Sequence, residues 1–204
     1  MCSYDRAGFG WSDPRPGPRD ANRIADQLHI LLNHAGITGP IILMGHSIAG
    51  LYIRAYATRY PQNLSGLVFV DGSTPLQDDR FPDADTGNLK FELLEEEWLY
   101  ILGIPRIRGD CKIQGFEDTA GRKLSEDQCR PSLFPAVGRE EESIRQSGNE
   151  TIHSGPFGDL PILIFSQDTQ SDSSNEPPSK EDEIWNQMQE ESTCLQQPTQ
   201  EIHR

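Results

Sequence analysis

The stretch that most restricts the fold is residues 41–61, "IILMGHSIAGLYIRAYATRYP", where an apolar run breaks at Gly-His-Ser and a helical run follows. The run from Ile41 to Gly45 is apolar at consecutive positions, the mark of a strand buried on both faces. A helix is expected from about residue 48 to 60, stopped by Pro61. A second buried strand, "GLVFVDGS", begins at Gly66 and ends at Asp71. The order of strand, helix and strand, with apolar strands, predicts an α/β fold, a parallel sheet with flanking helices.

The neighbouring segments extend this pattern. Ile24, Leu28, Leu31, Leu32 and Ala35 recur at spacings of three and four, which predicts an amphipathic helix over 21–35. Asp20 is its expected N-cap and Gly36 its terminator. Between 76 and 157 the pattern loosens, apart from one amphipathic helix with Phe91, Leu94, Trp98 and Ile101 or Leu102 on its apolar face. "LPILIFSQD" from Leu160 resumes the buried-strand pattern and closes at Asp168. One more helix is expected from Ser179, with that serine as cap and Ile184, Trp185 and Met188 as an apolar patch. The reading divides the chain into a core at 1–75, a mostly helical or irregular lid at 76–157, a returning core strand at 158–168 and an acidic tail at 169–204.

Composition removes several function classes. The chain has 204 residues and a net charge of −14, with no basic stripe to meet a phosphate backbone, so nucleic acid is not an expected partner. No apolar stretch approaches the roughly 18 residues of a membrane span. Cys2, Cys111, Cys129 and Cys194 are scattered without metal-ligand spacing, and neither metal nor cofactor is expected. Free thiols are favoured over a Cys111–Cys129 bridge. No signal-peptide pattern opens the chain, which leaves localisation open with a lean towards the cytoplasm. Asn63 and Asn149 each begin an acceptor triplet for N-glycosylation, "NLS" and "NET".

The chemistry concentrates at Ser47. A serine between a strand and a helix N-terminus presents its hydroxyl on a sharp turn, beside amides able to receive an oxyanion. Gly45 and Ala49 leave room for the strand and helix to approach, and the amide of Ile48 is the natural first oxyanion donor. The usual pattern is Gly-x-Ser-x-Gly, and Ala49 stands at its last position.

With "YDRAGFGWSDP", "GPIILMGHSIAGLYIRAYATRYP" and "LVFVDGSTP", the chain resembles the α/β-hydrolase superfamily, specifically its serine-hydrolase branch. The likeness is dense over 4–75 and returns at 160–168. It implies a partial α/β-hydrolase fold with Ser47 as nucleophile, an acid after a later strand, and a histidine after the last strand. Asp168 occupies the usual acid position and Asp71 an alternative one. Serine at the turn implies cleavage of a small ester or amide through an acyl-enzyme.

No histidine answers to the implied base. His29 and His34 precede the turn, His46 is expected to pack against the sheet, His153 precedes the acid strand, and His203 lies in the tail without a strand to deliver it. The family also has strands and an oxyanion loop before "YDRAGFG". The expectation is therefore a chain cut at both ends, with an open sheet edge prone to self-association. Two functional readings stand: an active serine hydrolase, or an inactive fragment or divergent member lacking base and oxyanion loop.

Overall fold

A computed structural model describes residues 1–81, 86–111, 119, 121, 123, 126, 129–166 and 179–195. Contacts divide the chain into two compact units, Met1–Arg19 with Asp85–Ser143, and Asp20–Ala84 with Ile144–Arg204.

The second unit holds the sheet. Helix α1 (Ala21–His34) starts where the Asp20 carboxylate accepts the Arg23 amide at 3.0 Å. Gly36, at φ +71°, follows its end, the left-handed conformation that glycine adopts without steric cost. Strand β1 (Ile41–Ser47) leads through Ile48 into α2 (Ala49–Arg59), and a 3-10 turn at Pro61–Asn63 leads into β2 (Leu64–Gly72). Helix α3 (Gln77–Arg80) follows. Strand β3 (Ile162–Phe165) completes a parallel sheet in the order β1-β2-β3, with Leu43 level with Leu67 and Leu67 level with Ile162.

The core lies on one face of this sheet. Helix α2 is buried from Gly50 through Ala57, packing Leu51, Ile53 and Tyr56 against α1 and against Leu43, Leu67 and Phe69. The alternate residues point the other way and stay in solvent: Ile42 is 66% exposed, Met44 65%, Leu163 58% and Phe165 56%. Burial of the strands on both faces, expected from their unbroken apolar runs, is thus overturned. Both α1 and α2 pack on the same side, and no described residue covers the other. His46 belongs to the open face and is exposed rather than packed against the sheet.

Two polar devices fix the helices. The first amides of α1 are closed from α7 (Ile144–Thr151), with Ala21 donating to Ser147 Oγ at 3.0 Å and Asn22 to Glu150 Oε2 at 2.9 Å. Asp26 on α1 accepts from Arg59 Nε and Nη2 at 2.7 and 2.9 Å and from the Tyr60 hydroxyl at 2.7 Å, clasping the end of α2.

The first unit contains α4 (Thr86–Ile101), α5 (Ile104–Arg108) and α6 (Leu133–Glu142). Helices α4 and α6 pack through the Tyr100 and Phe134 rings, 4.6 Å apart. The stripe expected to be the buried face of α4 is open at Leu94, Trp98, Ile101 and Leu102. The opening loop is held by a buried carboxylate: Glu140 accepts from Arg6 at 2.8 and 2.7 Å and from Arg19 at 3.2 Å. Gly8, at φ +89°, lies so close to α6 that a Cβ there would sit 2.7 Å from the Ala136 Cβ. Cys111 and Cys129 form a disulfide with Cα atoms 5.6 Å apart, where free thiols were expected.

Two measurements check these devices. Glu140→Ala leaves the buried Arg19 charge uncompensated and should cost about 3–5 kcal/mol, read as a lower urea midpoint. Burial works against ionised Asp26, but hydrogen bonds from Tyr60 and Arg59 outweigh it and hold the carboxyl below its usual value. A lowered folded pKa means the contribution is present above the unfolded pKa, about 3.9, and is lost as pH falls through the folded value. Asp26→Asn should therefore flatten the acid limb of a stability-against-pH curve below about pH 5. An unchanged limb would refute that role.

Candidate active site

Strand β1 ends in a turn that only small residues allow. A Cβ on Gly45 would meet the Ala49 Cβ at 2.6 Å and Ile53 Cδ1 at 3.0 Å. A Cβ on Gly50 would meet the backbone oxygen and nitrogen of Ser73 at 2.6 and 2.9 Å. The first turn of α2 is thereby drawn against both β1 and the end of β2. Between these contacts Ser47 has φ +54°, the left-handed region that non-glycine residues avoid at a cost of about 1–2 kcal/mol. Its carbonyl accepts the Ser73 amide at 2.9 Å, and its side chain is exposed. Ile48 stands at the N-cap of α2 without a side-chain cap, so the first-turn amides beside Ser47 have no capping side chain.

Asp71, the second candidate acid, stands next to last in β2, one residue before Gly72, the partner of Ser47 in the sheet register. It too is left-handed, at φ +46°. Among non-glycine residues described, Ser47 and Asp71 are the two with positive φ, and they lie on adjacent strand ends. Strain of this kind persists only where surrounding structure over-determines it.

That surround includes a helix far along the chain. Helix α8 (Lys180–Glu191) has Ser179 as its N-cap, as the sequence predicted, and the Asp182 side chain caps the Ser179 amide in return. The Trp185 indole N–H donates to Asp71 Oδ1 at 2.7 Å, and Gln189 donates to the Gly72 carbonyl at 2.9 Å. Thr74 donates to the Met188 sulfur at 3.4 Å. Ser192 accepts from Arg54 on α2 at 2.9 Å. Burial pulls the Arg54 guanidinium down to about 10, and its Nε has no hydrogen-bond partner. Trp185, Met188, Gln189 and Ser192 stand at i, i+3, i+4 and i+7, a stripe that meets the end of β2 at Asp71 and Gly72, then Thr74, and Arg54 on α2. In the sequence Ile184, Trp185 and Met188 stand out only as an apolar patch. The spacing of Gln189 and Ser192 was the available signal for the rest.

The histidines are placed elsewhere. His29 stacks on Tyr60 with ring centres 3.8 Å apart, and His34 ends α1, both at the end of the sheet where the strands begin. His153 lines a cleft of about 710 Å³ with Thr58, Ser65 and Asp159, also at that end. His46 adjoins Ser47 in sequence on the open face. Among the described residues no histidine hydrogen-bonds Ser47. Asp168 and His203 lie outside the described residues. No group of three or more His, Cys, Asp or Glu among the described residues is placed to hold a metal, and none of the described helices is long and apolar enough to cross a membrane.

Residues 1–102 match the family model of the alpha/beta hydrolase fold. The chain belongs to the α/β-hydrolase family. Its three parallel strands and flanking helices form part of that fold. An uncharacterized protein of Schizosaccharomyces pombe is 35% identical over 109 residues, covering 53% of this chain and 20% of its own length. A probable transporter of Hormonema carpetanum, efuK, is 30% identical over 151 residues, 72% of this chain and 20% of its own. The chain thus spans about a fifth of the length of these relatives. Among solved structures, a probable hydrolytic enzyme of Pseudomonas aeruginosa superposes with a TM-score of 0.49 and 16% identity, over 95% of this chain and 67% of that one.

Paired substitutions test the turn. Ser47→Gly removes the left-handed penalty while adding backbone entropy to the unfolded chain, for a net gain of about 0.5–1 kcal/mol. Gly50→Ala drives a methyl into the Ser73 backbone and should cost about 1–3 kcal/mol. Urea midpoints that move the other way would show that the turn is not strained.

Proposed function

We propose that this family member is a serine hydrolase acting on a small ester or amide through an acyl-enzyme. The observation that carries the reading is the left-handed Ser47, held between β1 and the uncapped N-terminus of α2. That geometry is the expected form of a nucleophile elbow, and backbone strain of this kind gathers at functional sites. In the proposed reaction Ser47 Oγ attacks the substrate carbonyl, and the carbonyl oxygen becomes an oxyanion received by the Ile48 amide and the α2 dipole. A base takes the serine proton and returns it to the leaving alcohol or amine. Water then repeats the attack on the acyl-serine and frees the acid. Asp168 is the proposed acid that orients the base, with Asp71 as the alternative.

The competing reading is a member without activity. It is favoured by two facts: Trp185 engages Asp71, and no described histidine bonds Ser47. Loss of the base alone costs on the order of 10⁶ in turnover in subtilisin, so the turn and helix by themselves would give little rate.

A fluorophosphonate probe separates the two, because it reports on Ser47 without requiring a chosen substrate. Stoichiometric labelling of the folded chain, absent in Ser47→Ala, is the expected result. No labelling of folded protein, or equal labelling of the variant, would sink the hydrolase reading.

A further inference from the structure

We infer that Asn149 carries an N-linked glycan, on a chain that folds where disulfides form and glycans are transferred. Two independent features lead there. The first is the Cys111–Cys129 disulfide, a bond that persists in oxidising compartments and is rare where glutathione keeps thiols reduced. The second is the triplet Asn149-Glu150-Thr151 and the way α7 presents it.

Helix α7 is strictly two-sided. Ser147, Gly148 and Thr151 are buried. A Cβ on Gly148 would lie 2.5 Å from the Pro75 carbonyl oxygen, so that face is in close contact. Arg145, Gln146 and Asn149 are exposed on the opposite side. A glycan on Asn149 therefore projects into solvent and disturbs no packing. Asn63, in the other triplet, is half-buried in the 3-10 turn before β2, with its amide bonded to the Tyr60 carbonyl. The fold accommodates the modification at Asn149 and leaves less room for it at Asn63.

The structure also fixes the order of events. The Thr151 hydroxyl donates to the Ser147 carbonyl at 2.8 Å and is 1% exposed. In the finished helix it is unavailable to the transferring enzyme, so the glycan must arrive before α7 closes onto α1. In that step the Asn149 amide nitrogen attacks the anomeric carbon of a lipid-diphosphate-linked oligosaccharide. A C–N bond forms, the C–O bond to diphosphate breaks, the amide gives up one proton, and the lipid diphosphate leaves. The two thiols lose two protons and two electrons to a disulfide-bearing oxidoreductase, which leaves as its dithiol. Both reactions belong to protein entering a secretory compartment, and neither depends on whether Ser47 is reactive.

The test is peptide mapping of the protein purified from the cells that make it. Digestion without reduction, before and after enzymatic removal of N-glycans, reads both features together. The expected result is conversion of Asn149 to aspartate on deglycosylation, together with a linked peptide containing Cys111 and Cys129. Asn149→Gln made in the same cells should migrate as the deglycosylated band. An unmodified Asn149 peptide from folded protein, or a glycan on Asn63 with Asn149 bare, would overturn the assignment. Free thiols at both Cys111 and Cys129 would overturn the compartment on which it rests.

Discussion

One backbone hydrogen bond in the second unit, from the Ser73 amide to the Ser47 carbonyl, is the tie on which the turn at Ser47 rests. It joins the ends of β1 and β2 where both chains are left-handed, at Ser47 and at Asp71. Neither conformation would survive alone, since each costs an L-residue on the order of 1–2 kcal/mol. They persist because Gly50 lets α2 lie against Ser73, Gly45 lets Ala49 lie against β1, and α8 holds Asp71 and Gly72 from outside. The strain is confined to the C-terminal ends of the strands, where open parallel sheets place their functional residues.

The stabilising burial is one-sided. Helix α2 sinks almost every residue against α1 and one face of the sheet, and that face supplies the hydrophobic core. The other face keeps Ile42, Met44, Leu163 and Phe165 in solvent. Polar contacts then hold the helices in place: Asp26 between α1 and α2, and Ser147 and Glu150 on the first amides of α1. In the first unit a single carboxylate, Glu140, anchors the opening loop through two arginines.

Much of this was legible in the residues. The Asp20 cap, the Gly36 terminator and the Ser179 cap are local signals, and each helix begins or ends where its signal stands. The order of strand, helix and strand pointed to the parallel pairing that the sheet has. Burial departs from the local pattern where it depends on a partner outside the strand. An unbroken apolar run such as Ile41–Met44 is compatible with two covered faces, but covering requires helices on both sides, and the described helices of this unit serve one. Cys111 and Cys129 carry no spacing signal, so their pairing is a fact of the tertiary structure alone.

The sequence by itself determined the parallel core, the turn at Ser47 and the family, because these rest on hydrophobic period, turn chemistry and small residues over a few neighbouring positions. Tertiary structure alone decided what meets that turn. Trp185 on Asp71, Gln189 on Gly72 and Ser192 on Arg54 join residues more than a hundred positions apart, and no local pattern encodes such pairs. The same limit applies to the histidines: order along the chain could rank them, but only folding showed His29, His34 and His153 at the far end of the strands from Ser47.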